Sequence, residues 1–257
     1  MATLNGYIRS SRAQPKSVSV SNSITDRNST FKATIYRATS AAEARACVGH
    51  TRNVLHASNP ASHEMSAWRC MVLKSGHDGL AGPEDFEVQS GAEDDKEQYG
   101  GGKILRTMVA EGVIDAVVVC SRWYGGTFLG PVRFTHIETC TREVCRTFKV
   151  IEQVEECIQE LDKLDVTLAD LRANLAAVTE STSGSTKPAV PKGKDYSSLL
   201  DPPDLPKAKR LVNARNSAIN GIRALLLKHS TESSAIKVSF VMLLFEISLY
   251  QHLLHFV

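Results

Sequence analysis

The residues most able to bind a ligand or to react lie between positions 84 and 134 of this 257-residue chain. Arg122, Trp123 and Tyr124 follow, after one serine, an apolar run that ends in three valines and a cysteine, and two glycines come next. This order places one charge and two large rings at the end of a buried strand, beside a turn that glycine permits. Such a place suits an anionic group, a nucleotide or an acidic peptide. We predict that nine residues form one exposed partner-binding surface there: Asp94, Asp95, Glu97, Arg122, Trp123, Tyr124, Gly125, Gly126 and Arg133.

Arg122 has a second interpretation. A guanidinium at the end of a buried strand needs an anion or a carbonyl as its partner, so an internal ion pair with Asp94 or Asp95 stands beside a ligand contact. The acidic residues between positions 84 and 97 lack the alternating oxygen ligands and the glycine of a calcium loop. They are interpreted as a solvated loop or as a regulatory contact surface.

Sequence patterns typical of catalysis are missing. The stretch Gly100-Gly101-Gly102-Lys103 has Glu97 where a Walker A loop has its first glycine, and Ile104 where that loop has Ser or Thr. His63 and Glu64 are not followed by the second histidine of a His-Glu-x-x-His motif, and no G-x-S-x-G nucleophile turn occurs. We therefore predict a structural histidine and a protein that is not an enzyme, with no cofactor and no metal ion.

Composition narrows the class of protein further. Hydrophobic residues make up 42% and charged residues 23% of the chain, which is the range of globular proteins. A formal net charge of +2 is too balanced for a dedicated histone-like nucleic-acid binder. The six cysteines form no C-x-x-C pair, so they are predicted to be reduced thiols of a cytoplasmic protein.

Residues 18–150 mix strand and helix patterns, so a sheet with helices packed on it must position the site. Ile114–Cys120 is an almost unbroken apolar, β-branched run, typical of a strand that is covered on both faces. After Pro131, which suits the first turn of a helix, apolar residues recur at intervals of three and four. Further elements are predicted as strands at Phe31–Ala38 and Ala67–Leu73, helices at Ala41–Leu55 and from Gly100 to Ala110, and a loop at Gly76–Gly91.

The chain changes character after residue 150. Residues 151–180 and 207–229 repeat apolar residues at coiled-coil spacing, and the Pro- and Ser-rich segment 181–206 between them is predicted to be a flexible linker. The first helix carries eight acidic and two basic residues, whereas residues 207–228 carry six basic residues and none that is acidic. Opposite charge predicts that the two helices pair antiparallel within one chain, and pairing with other partners is the alternative.

The two ends of the chain are predicted from their polarity. Residues 1–17 contain basic and hydroxyl residues but no acids, which indicates a disordered tail, with a transit peptide as the alternative. Residues 230–257 are predicted to form an apolar helix in which Glu246 is the only charge after Lys237. A buried or interfacial helix is the first interpretation, and a tail anchor or a misread gene end are the alternatives.

Several motifs of residues 18–150 resemble the Impact family, whose bacterial relatives are the YigZ proteins. The most specific is Ser121-Arg122-Trp123-Tyr124-Gly125-Gly126, continued by Leu129-Gly130-Pro131-Val132-Arg133-Phe134. Ser23–Phe31 resembles the opening segment of the family, and Ala61-Ser62-His63 resembles its Ala-Thr-His. Asp94-Asp95-Lys96-Glu97 stands where the family has Asp-Asp-Gly-Glu.

The resemblance implies both a fold and a role. The implied fold class is α+β, a sheet with helices like domain 2 of ribosomal protein S5, here followed by a C-terminal α-helical hairpin or coiled-coil extension. Eukaryotic members restrain the kinase that phosphorylates translation initiation factor 2 during amino-acid starvation, by competing for the activator protein of that kinase, and some also bind actin. An RWD domain usually precedes the family domain, and the coiled-coil extension is expected to replace its surface here. An RNA- or ribosome-associated binding module is the alternative function, and we expect a monomer that does not bind membranes.

Overall fold

The computed structural model describes residues 14–180 and 194–254. The chain divides into two compact units, the first ending at Val150 and the second beginning at Ile151. The predicted tail falls outside the described residues for positions 1–13, and the predicted linker does so for positions 181–193.

The described part of the first unit, residues 14–150, contains one sheet of six strands: β1 (Ser17–Val20), β2 (Ile24–Asp26), β3 (Ser29–Arg37), β4 (His63–Leu73), β5 (Phe86–Glu93) and β6 (Ala116–Trp123). Every paired neighbour runs antiparallel. The strand order is β1-β3-β6-β4-β5, and β2 pairs with β3. The strand that precedes the predicted site, β6, is therefore held by ladder hydrogen bonds on both of its sides.

Within the described residues four α-helices accompany the strands: α1 (Ala41–His50), α2 (Gly100–Ala110), α3 (Val132–Glu180) and α4 (Leu205–Leu254). Ser40 caps α1, because its hydroxyl accepts a hydrogen bond from the backbone N–H of Glu43. A π-helical turn extends α1 over Thr51–Leu55. The helix expected after Pro131 is confirmed, since α3 begins at the next residue.

The core lies on both faces of β6, as its apolar run predicts. Val118 and Cys120 face a cluster that includes residues of α2 and α3, such as Met108 and Ile137. The alternate residues, such as Val117, pack in a second cluster that contains the buried side of α1. With its antiparallel sheet and packed helices the protein has the predicted α+β fold class.

The predicted loop at Gly76–Gly91 is wrong in its second half, where β5 forms. Phe86 and Val88 alternate with Glu87 and Gln89, but almost every residue of this strand is exposed, so the strand has no buried face. Its pairing is set instead by β4, against which it aligns from Ser66↔Glu93 to Leu73↔Phe86. Gly91 is required by this pairing, because a Cβ there would lie 2.7 Å from Nε1 of Trp68.

In the second unit, α3 and α4 share an apolar cluster built on Val154, Leu161, Tyr196, Leu199, Ala208 and Val212. Tyr196 and Leu199 belong to the segment predicted as a flexible linker, so this part of the segment is packed rather than free. Ser197–Leu199 form a turn of 3-10 helix there. The prediction fails at this point because tyrosine and leucine bury enough apolar surface to hold a segment that its prolines and serines mark as irregular.

The predicted antiparallel direction of the two helices is wrong. On α3 the cluster spans residues 154–164, and Asp165 follows it; on α4 the cluster spans 205–212, and Arg215 follows it. Asp165 and Arg215 form an ion pair. Because this pair lies beyond the C-terminal end of the cluster on both helices, the helices run in the same direction.

The predicted starts of new elements at residues 151, 207 and 230 do not coincide with helix ends. Each of α3 and α4 is continuous, and no proline lies within α3 to interrupt it. None of the helices in residues 14–180 and 194–254 is both long and apolar enough to cross a membrane.

Candidate functional site

A cleft of about 370 Å³ opens where β6 ends and α3 begins. It is lined by His63, Lys96, Glu97, Arg122, Tyr124, Phe128, Leu129, Gly130 and Arg133. Four of the nine predicted site residues are among these: Glu97, Arg122, Tyr124 and Arg133. The remaining five lie outside the lining.

A buried ion pair forms part of the cleft lining. Arg122 Nη1 donates to Glu97 Oε2, and both side chains are more than nine-tenths buried. Arg133 Nε donates to the other carboxylate oxygen, Oε1, at 2.6 Å. The predicted exposed position of Arg122 and Glu97 is therefore wrong, and the internal ion pair forms, but with Glu97 rather than with Asp94 or Asp95. Charge-assisted hydrogen bonds to both carboxylate oxygens fix the two guanidinium groups.

Aromatic rings complete the surroundings of Arg122. Its guanidinium carbon lies 5.3 Å from the ring centroid of Phe31, a core residue, and 5.4 Å from that of Tyr124, within the range of cation–π attraction. Tyr124 is 41% exposed and Phe128 is 87% exposed, and their ring centroids are 5.9 Å apart. The cleft therefore has a buried charged wall and an exposed aromatic rim.

Gly125 and Gly126 shape the turn for different reasons. A Cβ on Gly125 would lie 2.1 Å from the carbonyl carbon of Asn28, so only glycine allows the chain to pass there. Gly126 has a φ of +86°, a left-handed conformation in open space. The backbone N–H of Gly125 donates to the Ser29 hydroxyl at 3.1 Å, which ties the turn to β3.

Asp94 and Asp95 stabilise the backbone around the cleft instead of lining it. The Asp94 carboxylate accepts hydrogen bonds at 2.9 Å from the N–H groups of Tyr99 and Gly101, at the start of α2. Asp95 accepts one from the N–H of Glu64 at 2.7 Å and pairs with Arg52 at 3.1 Å. The prediction of one exposed surface is wrong for these two residues, because both carboxylates are already used by neighbouring donors.

Trp123 points away from the cleft, as the alternation of side chains along a strand requires for a neighbour of Arg122. Its indole Nε1 donates to the backbone oxygen of Asn59 at 3.0 Å. Its ring meets that of His56 edge-on, with 5.0 Å between the centroids. Trp123 thus holds a neighbouring segment in place and is not part of the cleft lining.

Five residues of the cleft lining were not among the predicted site residues: His63, Lys96, Phe128, Leu129 and Gly130. His63 Nδ1 lies 3.0 Å from the backbone oxygen of Asp95, and Nε2 lies 3.9 Å from Glu97 Oε2. Lys96 adopts a φ of +68°. Phe128 carries a signal that was available, because it lies in a glycine-rich turn between Gly126 and Gly130 rather than in a strand or helix, and loops run over the protein surface.

The thiol nearest the site is not reactive. Cys120 is fully buried, and burial raises its pKa well above the usual value, with the neighbouring Cys140 and Glu97 raising it further. A thiol that stays protonated is a poor nucleophile. Cys120 is therefore an inert core residue, as predicted from its place after three valines.

Comparison with known proteins shows which proteins the first unit is similar to. The Impact N-terminal domain model matches residues 27–145. An IMPACT family member of Schizosaccharomyces pombe is 31% identical over 165 residues, which cover 64% of this chain and 41% of that protein. The Protein IMPACT homolog of Saccharomyces cerevisiae is 35% identical over 123 residues, covering 48% of this chain and 43% of that protein.

Two further matches extend this comparison. Protein IMPACT of Homo sapiens is 39% identical over 82 residues, covering 32% of this chain and 26% of that protein. A solved structure described as the two-domain translational regulator Yih1 is 33% identical, with a TM-score of 0.32, and covers 49% of this chain and 44% of that chain. This chain spans less than half the length of each of these relatives.

Proposed function

We propose that this chain, whose residues 27–145 match the Impact N-terminal domain model, belongs to the Impact family and is a non-catalytic regulatory protein of translational control. In this proposal it modulates, as an inhibitor, the response of the initiation-factor-2 kinase to amino-acid starvation. It does so by binding the activator protein of that kinase.

The observation that carries the proposal is the exposed aromatic rim of the cleft. Tyr124 and Phe128 line the same cleft as Arg133, whose guanidinium is itself held in place by Glu97. Tyrosine and arginine are enriched among the residues that dominate the binding energy of protein interfaces. Phe128 is 87% exposed, so a partner that covers its ring gains binding free energy by removing a large apolar surface from water.

The test is direct binding of the purified activator protein to the full chain. The double variant Tyr124→Ala, Phe128→Ala is expected to weaken binding at least about tenfold, in line with the loss of two interface aromatics. Leu80→Ala is the matched control, since Leu80 is also 87% exposed but lies outside the cleft. Equal affinity of the double variant and the original chain would reject this surface as the contact.

A kinase assay extends the test from binding to regulation. Addition of the full chain is expected to lower phosphorylation of initiation factor 2 when the activator is present, and the double variant is expected to lower it less. Because the substituted side chains are exposed, the free energy of unfolding should change by less than about 0.5 kcal/mol for Phe128→Ala. A variant that binds normally yet fails to inhibit would contradict the proposed competition.

A further inference from the structure

The cleft at the end of β6 carries an excess of positive charge. Lys96, Arg122 and Arg133 line it, against the single carboxylate of Glu97 among the described lining residues. Without counting His63, three cations and one anion leave an excess of two positive charges. Arg122 Nε is buried and has no hydrogen-bond partner within the described part of the chain. Positive groups that are held in a partly enclosed space attract an anion more strongly than free surface lysines do.

The second relevant feature is the aromatic rim. Tyr124 and Phe128 present two neighbouring rings at the mouth of this positive cleft. Proteins that hold single-stranded nucleic acid combine positive groups for the phosphate with aromatic side chains on which a base stacks. A volume of about 370 Å³ lies within the range of pockets that take small ligands, at its lower end.

From the charge and the rim together we infer that the cleft binds a nucleoside monophosphate, either free or at the end of a single-stranded RNA. The phosphate lies against Lys96, Arg122 and Arg133, and the base stacks on the Tyr124–Phe128 rings. A phosphate monoester carries a charge of about −1.5 to −2 at neutral pH, which matches the excess of two positive charges. A carboxylate, or a phosphodiester within a strand, carries only one negative charge and leaves the cleft unbalanced.

This site goes beyond the proposed function and does not rest on it, because nucleotide binding is measured with this chain alone. Binding of the activator protein can fail while nucleotide binding succeeds, and the reverse. If both occur they share Tyr124 and Phe128, so the nucleotide is expected to compete with the protein partner.

The experiment is a calorimetric titration of the full chain with separate probes. Adenosine 5′-monophosphate is expected to bind at least about tenfold more tightly than inorganic phosphate or adenosine, because it alone uses both the charges and the rings. Hexaadenylate with a 5′-phosphate is compared with hexaadenylate that has a 5′-hydroxyl. Preference for the phosphorylated strand identifies a strand end as the source, and binding of the mononucleotide alone identifies a free nucleotide.

Two variants separate the two halves of the site. Phe128→Ala is expected to weaken binding of adenosine 5′-monophosphate about tenfold and to leave inorganic phosphate unchanged, since it removes a stacking surface. Lys96→Gln is expected to weaken the binding of both the mononucleotide and inorganic phosphate several-fold, and to leave the binding of adenosine unchanged. Leu80→Ala and Arg106→Gln are the controls, because both residues are exposed and neither lines the cleft.

Three results would overturn the inference. One is that no phosphate-bearing probe binds at millimolar concentration. Another is that the mononucleotide binds no more tightly than inorganic phosphate and is unaffected by Phe128→Ala. The third is that a hexaglutamate peptide binds more tightly than the mononucleotide and is weakened by the same two variants, which would make the cleft a receptor for acidic peptides.

Discussion

Each of the two units contains an arginine that is paired with a carboxylate and lies beside a tyrosine. The two groups differ in how their charges balance. In the second unit, Asp165 accepts hydrogen bonds from Arg215 Nε at 2.5 Å and from the Tyr196 hydroxyl at 2.5 Å. Arg215 Nη2 donates to the same hydroxyl at 3.4 Å. One positive charge meets one negative charge, and each carboxylate oxygen has a donor.

The group in the first unit is not balanced in this way. Glu97 serves two guanidinium groups, Arg122 and Arg133, and Lys96 adds a third cation to the same cleft. Tyr124 contacts Arg122 through the face of its ring, whereas Tyr196 contacts Asp165 through its hydroxyl. A balanced group holds helices together, and an unbalanced group beside exposed rings is suited to receive an anion.

The largest expected effect comes from removing the carboxylate that serves two arginines. Glu97→Ala leaves Arg122 buried without its anion, which is expected to cost about 3–5 kcal/mol of unfolding free energy. Both tryptophans of the chain, Trp68 and Trp123, lie in the first unit, so tryptophan fluorescence during denaturation reports on that unit. Asp165→Ala serves as the control and should leave the fluorescence transition in place. A loss below about 1 kcal/mol for Glu97→Ala would mean that water satisfies Arg122.

The next effect tests the turn that holds the cleft open. Gly125→Ala would bring a Cβ to 2.1 Å from backbone of Asn28, which cannot yield as a flexible side chain does, so a loss of about 2–3 kcal/mol is expected. In Gly126→Ala the added Cβ lies in open space, so only the left-handed φ is unfavourable, and a loss of about 1 kcal/mol of unfolding free energy is expected. Gly102→Ala, also in open space but within α2, is the control and should not destabilise the fold. The same fluorescence transition measures all three, and the reverse order of the first two would contradict the geometry.

A smaller effect, whose size depends on pH, is expected in the balanced group formed by Asp165, Tyr196 and Arg215. Burial raises the pKa of Asp165, but the hydrogen bonds from Tyr196 and Arg215 and the charge of Arg215 lower it by more, so the net shift is downward. A carboxyl whose pKa is lower in the folded state stabilises that state fully above its unfolded pKa of about 3.9, and loses this contribution as pH falls through the folded pKa. Tyr196→Phe removes a hydrogen bond to Asp165 and is expected to lower the free energy of unfolding by about 1.5 kcal/mol at neutral pH. Because the variant also loses part of the downward pKa shift of Asp165, it should lose less stability than the original chain when the pH falls below about 4. Circular dichroism at several pH values measures this, and an unchanged acid transition in Asp165→Asn would contradict it.

The smallest effect concerns the exposed charges of the same helices. Glu156→Lys with Glu160→Lys reverses two charges of the acidic stretch of α3, and each exposed pair is worth only about 0.3–0.5 kcal/mol. The helical transition should therefore weaken by less than about 1 kcal/mol and should recover at high salt. A loss as large as that of Tyr196→Phe would show that the general opposition of charge, rather than the balanced group, holds the helices together.

The elements that sequence reasoning predicted correctly are those in which the local pattern and the packing agree. The valine run of β6 indicates a strand covered on both faces, and Pro131 marks the start of α3 within one residue. The pattern fails for β5, because that strand owes its existence to pairing with β4 and has almost no buried side of its own.

The same reason explains which parts of the site were predicted. Arg122 and Tyr124 stand out by type and position, but the partner of Arg122 depends on how the loop before α2 folds. In that loop Asp95, Lys96 and Tyr99 all adopt positive φ, and the turn brings Glu97 rather than either aspartate to Arg122. The direction of α4 likewise depends on the packing of Tyr196 and Leu199 in the cluster shared with α3, and the pattern of opposite charges on the two helices carries no information about that packing.

The two edge strands of the sheet determine whether another chain can pair with it. At one margin, β1 is only four residues long and its register is broken between Ser17 and Ser19. At the other, the exposed apolar residues of β5 alternate with Glu87 and Gln89. Short, irregular or charged margins resist fibril growth and the addition of a foreign strand. Under the proposed function, a partner is therefore expected to contact side chains at the end of β6 rather than to add a strand to the sheet, so its selectivity would follow from the chemistry of those few residues.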